Sequence, residues 1–187
     1  MQNKIFVREC DGYTVFRMEQ ITSVEDYLSG YVDVPKFEAL CRSCPNYGRK
    51  WSCPPFGTDP MEIWKKYNTL RLIAHILVPK DGTTGVELLA AHEEEKNKLR
   101  LWLTAYEEAH PKSLALWAGT CDLCGRCAKI DGEPCRFPEQ MRHSIEALGG
   151  DVGKTAADYF DHPIQWITEN QTPAYMTLMG GLLYNGI

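Results

Sequence analysis

Apolar positions crowd most densely in Leu70-Arg71-Leu72-Ile73-Ala74-His75-Ile76-Leu77-Val78, which Pro79-Lys80-Asp81-Gly82 brings to a close. So short and nearly continuous a run predicts a strand buried on both faces, and the central strand is placed there. His75, inside it, reads as a satisfied core histidine rather than a ligand. Beyond it the spacing changes: from about Thr84 to His110 the pattern is helical, with Leu99, Trp102, Leu103 and Tyr106 at i, i+3, i+4 and i+7, and Pro111 stops it. Ser113-Leu114-Ala115-Leu116-Trp117-Ala118 reads as another buried strand. Strand, long helix and strand form a candidate βαβ unit whose two strands run parallel.

The flanks are less regular. Residues 1–33 alternate weakly at Ile5, Val7, Tyr13 and Val15, suggesting one or two short strands and then a helical turn around Val24 to Leu28. Val34 to Leu40 predicts a short helix leading into Cys41, and Asp59-Pro60 opens another, Asp as cap and Pro in the first turn. A helix is expected from Glu139 to Leu148, ended by Gly149-Gly150, and a shorter one from Thr155 to Phe160. The run from Ala174 to Tyr184 suggests a final strand with a bulge or turn at Gly180-Gly181. The expected class is α/β or α+β: a mixed sheet with flanking helices and two cysteine-rich loops on one edge.

Composition narrows the picture only a little. At 187 residues, 44% hydrophobic and 24% charged, the chain is expected to be one soluble domain, residues 1–187, with a core of its own. The net charge of −5 argues against a broad nucleic-acid-binding surface. The N-terminal segment lacks the pattern of a secretory signal, and no apolar stretch is long enough to span a bilayer, so a cytoplasmic location and no membrane are expected.

Cysteine usage changes the picture most. Seven of the 8 cysteines fall into two groups: Cys41, Cys44 and Cys53, then Cys121, Cys124, Cys127 and Cys135. In a reducing compartment such clusters are ligands rather than disulfides. Cys121, Cys124 and Cys127 recur with two-residue spacers, which let consecutive thiolates reach neighbouring corners of an iron–sulfur cluster. The turn-forming Asp131-Gly132-Glu133-Pro134 could fold Cys135 back onto the same cluster, making a complete [4Fe–4S] site. Zinc is the competing metal, but its structural sites usually combine one Cys-x-x-Cys with a distant second pair. The spacing differs from the bacterial ferredoxin run, so a ferredoxin fold is not implied.

The first group has three thiols and needs a fourth ligand. Cys10 is the cysteine left over, and a lone cysteine is more often a small buried hydrophobe. If it folds back, two four-cysteine clusters result. Otherwise one iron is open, or bound by water, an oxygen ligand or a substrate. Arg42, Arg49 and Lys50, with no acid between Cys41 and Cys53, would favour a reduced cluster there. Gly150-Asp151-Val152-Gly153-Lys154-Thr155 is set aside as a phosphate loop, because Leu148 stands where the first glycine is required. Nothing in the sequence assembles a hydrolase triad.

Cys41-x-x-Cys44-Pro45-Asn46-Tyr47-Gly48, Trp51-Ser52-Cys53-Pro54-Pro55-Phe56, and Cys121-x-x-Cys124-x-x-Cys127 through Pro134-Cys135-Arg136-x-Pro138 together resemble a prokaryotic family of predicted metal-binding proteins, domain of unknown function 2284. The resemblance extends through Met141-Arg142-His143-Ser144-Ile145-Glu146-Ala147-Leu148-Gly149, and it gives Cys10 no support. It implies metal binding, in iron–sulfur form, and supplies no reaction. The leading expectation is therefore an iron–sulfur protein with one or two [4Fe–4S] clusters, passing electrons to a partner oxidoreductase. The alternatives are a redox enzyme using an open iron at Cys41, Cys44 and Cys53, and a zinc-stabilised interaction module.

Overall fold

A computed structural model describes residues 4–167 and 172–186, so the first three residues of the N-terminal segment lie outside it. Its centre is a five-stranded sheet of β1 (Ile5–Glu9), β2 (Tyr13–Ser23), β3 (Thr69–Pro79), β4 (Leu114–Leu116) and β5 (Met176–Tyr184), in the spatial order β1-β2-β3-β5-β4. Around it lie α1 (Val24–Tyr31), α2 (Val34–Cys41), α3 (Met61–Trp64), α4 (Gly85–Ala109) and α5 (Val152–Phe160). The class is α+β.

β3 does have both faces buried. Leu70, Leu72, Ala74 and Ile76 enter one core layer with Tyr27 of α1, Trp64 of α3 and Phe160 of α5; Ile73 and Leu77 enter the other, under Leu88, Leu99 and Leu103 of α4. A strand between two helical layers has no polar face, which explains its continuous apolar run. Thr84 starts α4 with a reciprocal capping box to Glu87.

The mixed sheet is corrected: every hydrogen-bonded pair of strands is antiparallel. β3 and β4 do run in the same direction, but β5 returns from the far end of the chain and inserts between them. Gly180-Gly181 allows this insertion, in place of the expected bulge. The β5 register passes through both glycines without a break. A Cβ at Gly180 would lie 2.7 Å from Leu116 O and 2.8 Å from Leu103 Cδ1, and one at Gly181 would lie 2.8 Å from Arg71 O. Only glycine lets the neighbouring strands and α4 close over this point.

The expected helix from Glu139 to Leu148 is absent. Residues 141–143 are irregular, and His143 O accepts a hydrogen bond at 2.9 Å from Trp117 N, just past the end of β4. The turn of residues 144–148 follows, ending at Gly149, whose φ is +87°. This tertiary backbone bond competes with the local helical preference. The rejected phosphate-loop stretch is an ordinary helix start, with Asp151 accepting from Lys154 N at 2.8 Å.

Candidate metal centre

The two cysteine loops follow α2 and β4, and both lie at the β4 edge of the sheet. After Cys41, tight turns carry the chain through Cys44 N to Cys41 O (2.9 Å) and Tyr47 N to Cys44 O (3.0 Å), and Gly48 N returns to Pro54 O at 2.8 Å. Cys41, Cys44 and Cys53 are brought within electrostatic reach of one another. In the second loop, a 3-10 turn at Ala128–Asp131 ends at left-handed Gly132, and an Arg126–Asp131 ion pair of 2.6 Å braces it. The chain turns back so that Cys121, Cys124, Cys127 and Cys135 line one cavity, together with Leu123, Phe137 and Met141.

All eight cysteines are free thiols, and Cys53 is the buried one. Burial pushes the Cys41, Cys53 and Cys121 thiols above their ordinary 9.0, and neighbouring thiols add to the shift in each case. Crowded, desolvated thiols of this kind are stabilised by a cation that takes their protons' place. The quartet's donors and its apolar lining suit an iron–sulfur cluster. Its cavity, about 20 Å³, holds roughly one water, so the loop must open to admit one. Among the described residues, no three His, Cys, Asp or Glu side chains converge as they would on a single metal ion.

The loops are stitched to each other. Ser52 Oγ, next to Cys53, accepts from Cys121 N at 3.1 Å. Lys50 Nζ donates to Cys121 O at 3.0 Å, and Trp51 Nε1 donates to Glu133 O at 3.0 Å. Lys129, two residues after Cys127, reaches back to the carbonyls of Lys50, Cys53 and Pro55 at 3.3, 3.2 and 3.1 Å. Burial holds its ammonium below the ordinary 10.5, while Cys53 and Cys127 act in the opposite direction. One lysine therefore faces both thiol groups.

His143 Nδ1 lies 3.1 Å from Ser52 O, with its ring edge-on to Phe56 at 4.9 Å, so the turn of residues 144–148 begins against the first loop. Cys10 is not brought to either group. It closes the β1–β2 hairpin, with its N–H on Tyr13 O at 2.9 Å. β1 and β4 are opposite edges of the sheet, four strand spacings of about 4.8 Å apart. Sequence reasoning missed Ser52, Lys129 and His143 as parts of this region. The signal that could have found the last was the family resemblance running past Cys135.

Neither the curated proteins nor the solved structures offer a match to the chain. A family model described as Predicted metal-binding protein (DUF2284) matches residues 30–184, which takes in both loops, the sheet from β3 to β5 and the turn of residues 144–148. The chain belongs to this family of predicted metal-binding proteins.

Proposed function

We propose that the chain is an electron-transfer protein holding two iron–sulfur clusters, one on Cys121, Cys124, Cys127 and Cys135 and the other on Cys41, Cys44 and Cys53. The observation that carries this is the stitching of the loops through the Ser52–Cys121 hydrogen bond and Lys129, which puts both thiol groups beside one shared cation. Zinc's structural sites usually combine one Cys-x-x-Cys with a distant second pair, whereas Cys121, Cys124 and Cys127 recur at successive two-residue gaps, which favours a cluster. When bound, the clusters supply one-electron redox chemistry. The chain's own residues shield the site with Leu123 and Met141, and Lys50 and Lys129 offset the charge that reduction adds. Trp51 and Phe137, both exposed and both lining the quartet's cavity, offer an apolar landing to a partner oxidoreductase. Among the described residues no helix is long and apolar enough to cross a membrane, and thiolate ligands would call for a reducing compartment, which suits a cytoplasmic setting.

The fully reduced protein is expected to give an electron paramagnetic resonance spectrum broadened by coupling between two centres, and narrowed when C124S removes one. A spectrum of isolated, non-interacting centres in the intact protein would count against paired transfer. The second reading, a redox enzyme acting at the three-thiol site, is favoured by the placement of Cys10 at the opposite sheet edge, which leaves that site without a fourth thiol.

A further inference from the structure

A cleft lies between the C-terminal end of α4 and the sheet, at the start of β4, whereas the second cysteine loop leaves that strand's other end. Strand and helix periods assemble it. Leu182 and Tyr184 share the α4-facing side of β5, Arg71 of β3 stands opposite Leu182, and Tyr106 and His110 lie one turn apart on α4. With Lys112, in the turn before β4, they line a cavity of about 410 Å³, within the range of small-molecule sites. It shares no residue with the cavity of the Cys121 quartet.

The lining carries three basic side chains, Arg71, His110 and Lys112, and no carboxylate, in a chain of net charge −5. Arg71 is held in place: Nη1 donates to Glu19 Oε2 at 2.9 Å, and the guanidinium lies over the Tyr106 ring at 5.7 Å. Glu19 also pairs with Arg17 at 2.8 Å, so one carboxylate serves two guanidiniums and a positive charge is left over. The last carbonyls of α4, which would repel an anion, are occupied: Tyr106 O by His110 Nδ1 at 2.7 Å, Glu107 O by His110 N at 3.0 Å, and His110 O by Ser113 Oγ at 2.6 Å. Lys112 has a φ of +69°, left-handed backbone that suits glycine better than lysine. That strain is borne at the position whose side chain adds the exposed cation.

We propose that this cleft binds a small organic anion with a flat body, its charged end against Arg71 and Lys112 and its body against Leu182 and Tyr184. The arginine fork suits a carboxylate and a phosphate ester alike, and the apolar wall favours either over a bare inorganic ion. Tyr106 serves as a support, with its ring against Trp102 at 5.0 Å and His110 at 4.2 Å. The site stands independently of what the thiols hold.

Isothermal titration calorimetry of the anaerobically purified protein with benzoate, phenyl phosphate and uncharged benzamide tests this. At least one of the two anions should bind with a Kd below about 1 mM, and benzamide roughly tenfold more weakly. The tighter of the two anions tells a carboxylate ligand from a phosphate ester. K112M, which leaves the backbone as it is, should weaken anion binding roughly fivefold. K112G should do the same while melting no lower than the unaltered chain, since it relieves the left-handed residue. K80M, which removes an exposed lysine at the other end of β3, should bind as the unaltered chain does. A Kd above about 1 mM for both anions, benzamide matching them, undiminished binding in K112M, or an equal loss in K80M would overturn the site.

Discussion

At the residue scale, two side chains carry sharp expectations. Lys129 places a cation beside Cys53 and Cys127 and ties down three carbonyls of the first loop. K129M should therefore make both centres harder to reduce, lowering their potentials by roughly 30–60 mV in a redox titration, where about 60 mV corresponds to a tenfold change for one electron. Unmoved potentials would show that the lysine serves the loops' shape alone.

His75 concerns stability. It was read as a satisfied core histidine, and it is in the core, but neither ring nitrogen has a partner among the described residues. Burial, with Arg8 and Arg17 nearby, lowers its pKa from 6.5 to about 4. Between those values the unfolded chain binds the proton and the folded one does not, so stability is intact above pH 6.5 and falls as pH drops toward about 4. The gap corresponds to ~3 kcal/mol. H75L should remove this part of the acid sensitivity, as read by urea unfolding at neutral pH and near pH 4. Equal acid losses in both proteins would point to other groups.

At the scale of elements, local pattern announced what it controls. β3 and α4 were legible because burial on both faces and a helical apolar stripe leave marks in consecutive residues. Two elements were misread where distant chain decides. The Glu139–Leu148 segment has helical composition, but His143 O is claimed by Trp117 N at the sheet edge. Gly180-Gly181 looks like punctuation, yet it is where β5 slips between β3 and β4. G180A sets a Cβ against a backbone carbonyl that cannot step aside, and should cost about 2–3 kcal/mol, lowering the melting temperature by roughly 5–10 °C. G57A, with open space around its Cβ, is the control and should melt close to the unaltered protein. Equal melting of the two variants would refute the close-approach account.

For the whole molecule, the sheet and its two core layers are built from residues outside the cysteine loops, apart from contacts of Phe56, Cys121 and Leu123 at their margin. Metal removal should therefore spare the sheet. After chelation, far-ultraviolet circular dichroism should change little, while amide exchange should quicken in residues 41–57 and 119–140; global unfolding on chelation would contradict this division. The thiol groupings were legible because ligand spacing is a local property. Their mutual approach was not, since the Ser52–Cys121 and Lys129 contacts span 69 and 74–79 residues.

The central claim is that these thiols hold iron and sulfide together. Its most direct test is metal and acid-labile sulfide analysis of anaerobically purified protein. The account predicts a brown protein with about eight irons and about eight sulfides per chain; a colourless protein with stoichiometric zinc and no sulfide would contradict it.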